Sequence, residues 1–452
     1  MDSVLTQKRN KFKSEAIFPV ILSDGTLGET IKIDNTGVLL ELEKAPDTAI
    51  VSVDIKLLDS GLLENFEIKL KIIKTTEKNG MVLCNAVFLE PNEKLLSNLQ
   101  LALNQYQSLS SDFIQLTKII RGFLKKIRTE SIEFDKQKPD KKTQANFIDL
   151  RKPMVFTKLD KHFQEIWEIA KNLDKQNYRR HQLYYQQMFY DLFGPNIEIN
   201  WHIYRKPLGY SGDYLAMNYI YDYYKNKFLG NSTFEKLINH YTCNIPFSNS
   251  NIERKDFFRK QIMLEIAKKR EKARILSVGS GPARELIELL INNEIKSPAV
   301  FTCFDFEEKA LKYVRDEIGK VSEGNKKFIT IHYVQDDVLN IIVKKDTRDK
   351  IANQDLIYVS GIFDYLGNQF CSRLTKQLFQ LLKNGGTLII CNASTKNYCH
   401  RAYFEMLGEW KMFYRTEEEM LGWTINLKDA SEIKFEDYLE TNNYLFLVIR
   451  KS

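Results

Sequence analysis

The first 92 residues alternate short apolar runs with polar turns. Six runs rich in β-branched residues lie between residues 15 and 90, among them AIVSVDIKLL and MVLCNAVFL. The pairs Asp24-Gly25, Thr36-Gly37 and Asn79-Gly80 separate several of these runs. So many strands in so short a span predict a small β-barrel or sandwich over residues 1–92.

Beyond Pro91 the apolar residues recur at helical spacing. One heptad register runs from Glu93 to Arg128 and predicts a long helix with a coiled-coil face, followed by a linker, over residues 93–150. Its members are Leu99, Tyr106, Phe113, Ile120 and Ile127 at one heptad position and Ala102, Leu109, Leu116 and Phe123 at the other.

A second helical stretch leaves two arrangements open. Its apolar residues are Phe156, Leu159, Phe163, Ile166, Ala170 and Leu173. The two helices could form an antiparallel hairpin within one chain, connected by the polar segment from Thr129 to Asn146. Alternatively, the helix over 93–128 could pair with its copy in a homo-oligomer. A mixed helical bundle would satisfy both arrangements.

The remaining sequence predicts a helical region and then an α/β domain. Residues 177–270 are mostly helical and rich in aromatic residues, and the loop from Pro207 to Asp213 interrupts them. We expect residues 151–261 to form a helical cap or lid. From Arg274 onward strands alternate with helices (RILSV, VFTCF, FITIHYV, DLIYVS, GTLIIC), which predicts a parallel sheet over residues 262–452. SEIKFEDY and NYLFLVIRK would add an edge hairpin, giving a Rossmann-like sheet of seven strands.

Composition narrows the class of protein. An apolar fraction of 43% with 12% aromatic residues argues against disorder. The net charge of +7 is spread over short basic runs, so solvated helix ends explain it better than a nucleic-acid surface. The six cysteines form no Cys-x-x-Cys pair, and the N-terminus has no apolar signal stretch. We therefore expect a cytoplasmic protein without a membrane span, a disulfide framework or a metal site.

The segment RILSVGSGPARELIELL is a strand, a glycine-rich turn and a helix in succession. Gly279 and Gly281 allow a sharp turn and close approach of a ligand, with Ser280 between them. Pro282 suits the first turn of the following helix. The third glycine of a dinucleotide-binding motif is replaced by Arg284, which argues against NAD.

Polar residues at the next strand ends complete a predicted nucleoside pocket. Asp305, followed by Phe306, ends the second strand and could bind both hydroxyls of a ribose. Asp336, Asp337 and Val338 follow the third strand and could bind adenine. Ser360 and Gly361 follow the fourth strand and should line the pocket floor.

Five segments resemble a known family. They are KPLGYSGDYLAMNYIY (206–221), VGSGPARE (278–285), YVSGIFDYL (358–366), LLKNGGTLIICN (381–392) and EWKMFYRTEEEM (409–420). Together they resemble the class I, Rossmann-like S-adenosylmethionine-dependent methyltransferases, and most closely the branch that makes the methyl ester of 3-hydroxypalmitic acid, an extracellular signal. The resemblance implies S-adenosylmethionine as cofactor. One departure is Ser277, where many members carry an acid that contacts the methionine part of the cofactor.

A carboxylate acceptor needs no general base, because its pKa of about 4.3 leaves it ionised at neutral pH. It needs a cation to orient it, whereas a hydroxyl or amine acceptor would more often need a base. The candidate acceptor-site residues are Tyr210, Asp213, Asp364, Tyr365, Asn392 and Arg415. Tyr214 could contact the sulfonium, and Arg205 and Lys206 are further candidate partners of a carboxylate. His202 could act as a base, although a lone histidine beside aromatic residues is more often structural, and His400 follows the fifth strand, where methyltransferases often place groups that contact the acceptor.

The N-terminal strands resemble PilZ domains, which bind cyclic di-GMP through a basic N-terminal segment and a D/N-x-S-x-x-G turn. The corresponding residues are Arg9 to Lys13 and Asp34-Asn35-Thr36, with Leu39 where the glycine belongs. Both elements are degraded, so binding of cyclic di-GMP is doubtful. A generic β-barrel used for assembly is the alternative.

Three functions follow from these patterns. The first is a carboxyl O-methyltransferase that acts on a small apolar acid such as a fatty acid. The second is a protein or RNA methyltransferase whose N-terminal module recruits the target. The third is a regulatory protein, linked to cyclic di-GMP signalling, that senses the cofactor without turnover.

Overall fold

The computed structural model describes most of the chain. The described residues are 13–14, 18–34, 36–59, 62–78, 81–90, 93–106, 108–222, 229–269, 271–396, 400–436 and 443–452. The chain divides into a barrel–helix unit (Met1–Tyr204, Phe228–Tyr241 and Arg401–Glu409) and a sheet unit (Arg205–Lys227, Thr242–His400 and Trp410–Ser452). Residues 151–261, predicted as one cap region, are thus shared between the units. The predicted boundaries at 92, 150 and 261 stay predictions.

The barrel–helix unit begins with a closed antiparallel barrel. Its strands are β1 (Lys13–Ser14), β2 (Pro19–Leu22), β3 (Leu27–Asp34), β4 (Gly37–Leu42), β5 (Ile50–Asp59), β6 (Leu62–Lys78) and β7 (Met81–Phe88). The order is β3-β2-β5-β6-β7-β4, and pairing of β4 with β3 closes the ring. The barrel alternative of the sequence analysis is therefore confirmed over the sandwich.

Alternation along the barrel strands fills its interior. In β4, for example, Val38, Leu40 and Leu42 are buried while the residues between them are less so. Two leucines of the first helix, Leu95 and Leu99, belong to the same apolar core.

The PilZ-like turn is only partly described. Asn35 and residues 9–12 lie outside the described residues, while the carboxylate of Asp34 accepts hydrogen bonds from the amides of Thr36 and Gly37 at 2.8 and 3.2 Å. The side chain of Asp34 is therefore hydrogen-bonded to the backbone of its own turn. The PilZ-like relationship stays a prediction.

Helices follow the barrel. They are α1 (Glu93–Tyr106), α2 (Ser111–Asp135), α3 (Lys141–Ala170), α4 (Lys175–Phe193) and α5 (Glu198–Arg205). The prediction of one continuous helix from Glu93 to Arg128 is wrong, because α1 ends at Tyr106 and a new helix begins at Ser111. Ser110 caps α2 by accepting from the amide of Phe113. Serine is favoured at helix N-caps because its side-chain oxygen can accept a hydrogen bond from a backbone amide of the first helical turn.

The structure shows the intrachain hairpin, the first of the two predicted arrangements. α2 and α3 run antiparallel. The stacked rings of Phe134 and Phe147 have centroids 4.3 Å apart, and Nε of Arg151 lies 3.1 Å from a carboxylate oxygen of Glu130. Residues 136–140 connect them, so the predicted connection from Thr129 to Asn146 is too long. The heptad residues Phe113, Ile120 and Ile127 are buried within the unit itself. A homo-oligomer stays a prediction.

A buried ion network joins α2 to the barrel and to α4. Arg121 contacts Asp191 of α4 and Glu29 of β3, both at 2.6 Å. Arg128 contacts the other Asp191 oxygen at 3.0 Å, and Lys125 contacts Glu29 at 2.7 Å. Burial by itself would raise the pKa of Asp191, but the two arginines outweigh it, and the pKa lies below its usual value.

The sheet unit contains seven strands. They are β8 (Ala273–Val278), β9 (Ala299–Asp305), β10 (Ile329–Gln335), β11 (Gln354–Val359), β12 (Leu382–Ala393), β13 (Ala430–Glu436) and β14 (Tyr444–Lys451). Their order is β10-β9-β8-β11-β12-β14-β13. The first five are parallel, and β14 is antiparallel to both of its neighbours.

Helices cover both faces of this sheet. The helices of the sheet unit are α6 (Tyr214–Asp222), α8 (Pro246–Lys268), α9 (Arg284–Ile291), α10 (Glu308–Gly319), α11 (Glu323–Lys326), α12 (Val338–Val343), α13 (Lys345–Lys350), α14 (Asn368–Gln380) and α15 (Glu417–Leu421), whereas α7 (Thr233–Asn244) belongs mainly to the barrel–helix unit. Every residue of β9 and of β11 is buried, as expected for parallel strands covered on both faces. The strand order with one reversed strand is that of the predicted Rossmann-like methyltransferase sheet, so the fold class is confirmed. Among the described residues no helix is both long and apolar enough to cross a membrane.

We predict that Asp191→Ala lowers the free energy of unfolding by about 3–5 kcal/mol, because it leaves two arginines buried without their shared partner. Chemical denaturation measures this change. Glu133→Ala is the control, since Glu133 pairs with Lys136 at the surface and should contribute only about 0–1 kcal/mol. Equal losses in the two variants would contradict a special role for the buried network.

Candidate functional site

One cavity of about 430 Å³ lies at the carboxyl ends of the parallel strands in the sheet unit. Most of the predicted site residues line it. They are Tyr210, Tyr214, Gly279, Ser280, Gly281, Pro282, Asp305, Phe306, Asp337, Val338, Ser360, Gly361, Asp364 and Tyr365. The fold therefore brings residues from four successive strand ends and from the loop before α6 to one space.

The glycine turn after β8 is built for a close approach. Gly279 has φ +68°, and a Cβ there would lie 2.5 Å from the side chain of Ile362, so only glycine fits. Its amide donates to the carbonyl of Phe304 at 2.8 Å, which holds the turn against β9. Gly281 has φ +49° and open space where a Cβ would lie. The turn thus presents bare backbone to the cavity.

Asp305 ends β9 beside this turn. One carboxylate oxygen accepts from the amide of Gly281 at 2.8 Å, and the other from the amide of Glu307 at 3.0 Å. Burial raises the pKa of this carboxyl, while the two amides act in the opposite direction. The amides orient the carboxylate, and each oxygen keeps lone-pair capacity for a ligand hydroxyl.

The two acids after β10 have different roles. Asp337 lines the cavity, and its carboxylate caps α12 by accepting from the amide of Leu339 at 2.8 Å. Asp336 does not line the cavity. Its oxygens accept from Asn340 at 2.5 Å and from Thr347 at 2.6 Å, so the prediction of Asp336 as a ligand residue is corrected to a structural role.

A further acid of the cavity, Asp364, follows β11. Asp364 is only 2% exposed, and its carboxylate accepts from the amide of Ala393 at 2.7 Å. Burial raises its pKa to about 6, although that amide, Arg254 and Arg415 oppose the shift. The hydroxyl of Tyr365 accepts from the indole of Trp410 at 2.7 Å.

The loop before α6 contributes tyrosines rather than its acid. Tyr210 lies over Phe306 with ring centroids 5.7 Å apart. Asp213 is fully buried and accepts from the amide of Ala216 at 2.8 Å, so it caps α6 instead of facing the cavity. The predicted role of Asp213 in the acceptor site is corrected accordingly.

Asn392 and Arg415 bind each other and the backbone. Arg415 donates to Asn392 Oδ1 and to the carbonyl of Phe363, both at 2.7 Å, and also to Asn368 at 3.0 Å. Both residues are buried and neither lines the cavity. Their predicted roles in the acceptor site are wrong, because the guanidinium is occupied in fastening the loop after β11 to β12.

The sequence analysis missed Arg254 of α8. Its guanidinium is 4.6 Å from the ring of Tyr444 and adjoins Gly361, and Arg254 lines the cavity. Arg254 is 6% exposed, and its Nε has no hydrogen-bond partner among the described residues. No sequence signal distinguishes it, since it is one of several basic residues along α8.

Glu285 was also missed, although it ends the segment VGSGPARE. It lies in the first turn of α9, lines the cavity, and accepts a hydrogen bond from the hydroxyl of Tyr358. Burial raises its pKa, which the bond from Tyr358 partly offsets.

The cavity wall is acidic and aromatic. Among the described residues, this wall carries the four carboxylates of Glu285, Asp305, Asp337 and Asp364 and one basic side chain, that of Arg254. The aromatic residues on the wall are Tyr210, Tyr214, Tyr221, Phe306, Tyr365, Trp410 and Tyr444. Such a wall suits a ligand with net positive charge and an aromatic or apolar body.

Other candidates lie elsewhere. Arg205, Lys206 and the two histidines considered, His202 and His400, do not line the cavity. Within the part of the chain that the structure describes, no cluster of His, Cys, Asp and Glu could hold a metal ion.

No protein-family model and no curated protein matches the chain. Among solved structures it is similar to a possible exported protein from Bordetella parapertussis (16% identity, 64% of this chain and 87% of that chain, TM-score 0.39). It is also similar to a magnesium protoporphyrin IX methyltransferase from Synechocystis with bound S-adenosylmethionine (12%, 46% and 85%, TM-score 0.33). A third is a methyltransferase from Methanosarcina mazei (14%, 40% and 94%, TM-score 0.30). All three TM-scores are below 0.5, so the assignment of fold rests on the strand order.

Proposed function

We propose that this chain is an S-adenosylmethionine-dependent methyltransferase that methylates the carboxyl group of a small apolar acid. One observation carries the proposal: the Gly279–Gly281 turn, Asp305 and Asp337 border one cavity at three successive ends of parallel strands. Ligands of open α/β sheets bind at this edge. A strand-end acid beside a glycine turn is the arrangement that binds a nucleoside.

The residues after β8, β9 and β10 form the cofactor half of the cavity. Asp305, held by the amides of Gly281 and Glu307, would accept hydrogen bonds from the ribose hydroxyls. Asp337 would accept from the exocyclic amine of adenine. When bound, S-adenosylmethionine supplies a sulfonium that carries an activated methyl group. The acidic wall favours this cationic cofactor over its neutral product.

The residues after β11 and around the start of β14 form the acceptor half. Arg254 lies here, beside Gly361 and the ring of Tyr444. A buried guanidinium whose Nε lacks a partner is costly unless a ligand supplies an acceptor, and its planar fork matches a carboxylate. We therefore assign Arg254, instead of Arg415, as the residue that orients an acid acceptor.

The chain's own contribution to rate is alignment and exclusion of water. The acceptor oxygen must lie in line with the methyl carbon, because the reaction is a displacement at that carbon. The aromatic wall supplies a dry surface for an apolar tail. By resemblance, 3-hydroxypalmitic acid is the first acceptor to test.

One observation favours a second candidate, a hydroxyl acceptor. Asp364 lines the same half of the cavity, and its pKa of about 6 suits a general base at neutral pH. The titratable and charged groups that act on it are Arg254, Arg415, Cys371, Cys391, Tyr365 and Tyr444. A base would be needed for a hydroxyl and not for a carboxylate.

We expect Asp305→Ala to weaken binding of S-adenosylmethionine by about 1–3 kcal/mol, because a ribose hydroxyl loses its acceptor. Calorimetric titration measures the Kd. Asp316→Ala is a matched control, since Asp316 lies on the surface of α10, pairs with Lys312 and does not line the cavity. No binding by the wild type, or an unchanged Kd in Asp305→Ala, would remove the nucleoside assignment.

We expect Arg254→Gln to raise KM for 3-hydroxypalmitic acid about 10- to 100-fold, the effect of losing one or two charge-assisted hydrogen bonds. Transfer of a radiolabelled methyl group into an organic-extractable product measures it. The Kd for 5′-methylthioadenosine, which has the nucleoside but no amino-acid group, should stay unchanged, since Arg254 lies in the acceptor half. Label that enters protein or RNA instead would contradict a small acid as acceptor.

The pH profile separates the two acceptors. With an acid acceptor, kcat/KM should fall as pH rises through about 6, because ionised Asp364 then repels the substrate carboxylate. Asp364→Asn should remove the fall. With a hydroxyl acceptor and Asp364 as base, kcat/KM would instead rise through the same pH, and Asp364→Asn would abolish activity.

A further inference from the structure

We infer that Glu285 binds the ammonium group at the amino-acid end of the cofactor, replacing the acid that is missing at position 277. This assignment rests on the proposed function and adds a residue to its cofactor half. It concerns the part of the ligand that Asp305 and Asp337 do not reach.

The sheet register brings Glu285 to the vacant position. Ser277 of β8 pairs with Tyr358 of β11 on one side and with Cys303 of β9 on the other, so the three side chains share one face of the sheet. The hydroxyl of Tyr358 donates to the Glu285 carboxylate and also interacts with Ser277. The carboxylate therefore lies over β8 beside residue 277, reached from α9 instead of from the strand.

The electrostatics leave this carboxylate in need of a cation. Glu285 is 8% exposed and forms no ion pair with a lysine or arginine within the described residues. The nearby cations are engaged elsewhere, Lys255 with Glu288 at 2.6 Å and Arg284 with Asp222 at 2.9 Å. A buried carboxylate without a cation is unfavourable, and a ligand ammonium provides charge and donors together.

Arg254 does not fill this role. It acts on Glu285 through space but forms no hydrogen bond with it in the described part of the chain, and its ring contact is to Tyr444 on the acceptor side.

The test compares two ligands that differ in the amino-acid group. S-adenosylhomocysteine carries the ammonium, whereas 5′-methylthioadenosine has the nucleoside and the sulfur but no amino acid. For Glu285→Gln, which keeps an acceptor for Tyr358, we expect the Kd of S-adenosylhomocysteine to rise roughly 10- to 100-fold. The Kd of 5′-methylthioadenosine should not change, and calorimetric titration measures both.

Two further variants sharpen the result. Glu317→Gln, on the surface of α10 and outside the cavity lining, should leave both Kd values unchanged. Ser277→Asp combined with Glu285→Gln should restore binding of S-adenosylhomocysteine, because it returns the acid to the strand. Equal weakening of both ligands by Glu285→Gln, or no weakening of either, would overturn the assignment while leaving the proposed function intact. Wild-type protein that binds neither ligand would overturn the proposed function itself.

Discussion

The site depends on the point at which the order of the parallel strands reverses. From β8 the chain passes through α9 to β9 and then outward to β10, and it later returns to the other side of β8 as β11. The loop after β8 and the loop after β11 therefore run in opposite directions along the edge of the sheet. They leave a crevice between them. Gly279 bends the chain at this crevice and packs against Ile362 of the β11 loop, so the two diverging loops touch at a position where only glycine fits.

Burial of charge is the second constraint on the sheet unit. Four carboxylates and one arginine line a cavity whose other walls are aromatic and aliphatic. Glu285, Asp305 and Asp364 all have their pKa raised by burial, which shows that the protein does not compensate these acids fully by itself. Such uncompensated groups are typical of sites that receive a charged ligand. Asp336 and Arg415 do not line the cavity, and their charged groups are bonded to side chains and carbonyls of the protein.

The barrel–helix unit handles buried charge differently. Asp191 and Glu29 each contact two cations of α2, and Lys125 and Arg128 extend the network to Glu41 and Glu43. The barrel is also closed by the pairing of β3 with β4, which removes the exposed edges that an open sheet of this size would have. In the barrel–helix unit, buried charged side chains form ion pairs between secondary-structure elements. In the sheet unit, charged side chains line an open cavity.

Several features could be predicted from the sequence alone, because local patterns determine them. Alternation of strands and helices after Arg274 predicted the seven-stranded sheet, and the GSGP turn together with Asp305 and Asp337 predicted the cofactor half of the cavity. These residues follow strands directly, and a strand end in a parallel sheet has only one edge to face. The break between α1 and α2 was missed because the heptad spacing of apolar residues continues across it. The only local signal of the break is Ser110, which caps α2, and a single serine is a weaker signal than the heptad pattern.

Only the tertiary structure decided which polar side chains line the cavity and which are hydrogen-bonded to other groups of the protein. Asn392 and Arg415 were plausible ligand residues by position, but they bind each other, and Asp213 caps a helix. Arg254 and Glu285 could not be chosen from sequence, because both lie on helices and their direction depends on how α8 and α9 pack on the sheet. The sequence thus determined the sheet, the turn and the acids at its strand ends, while packing of helices on that sheet selected the remaining polar groups.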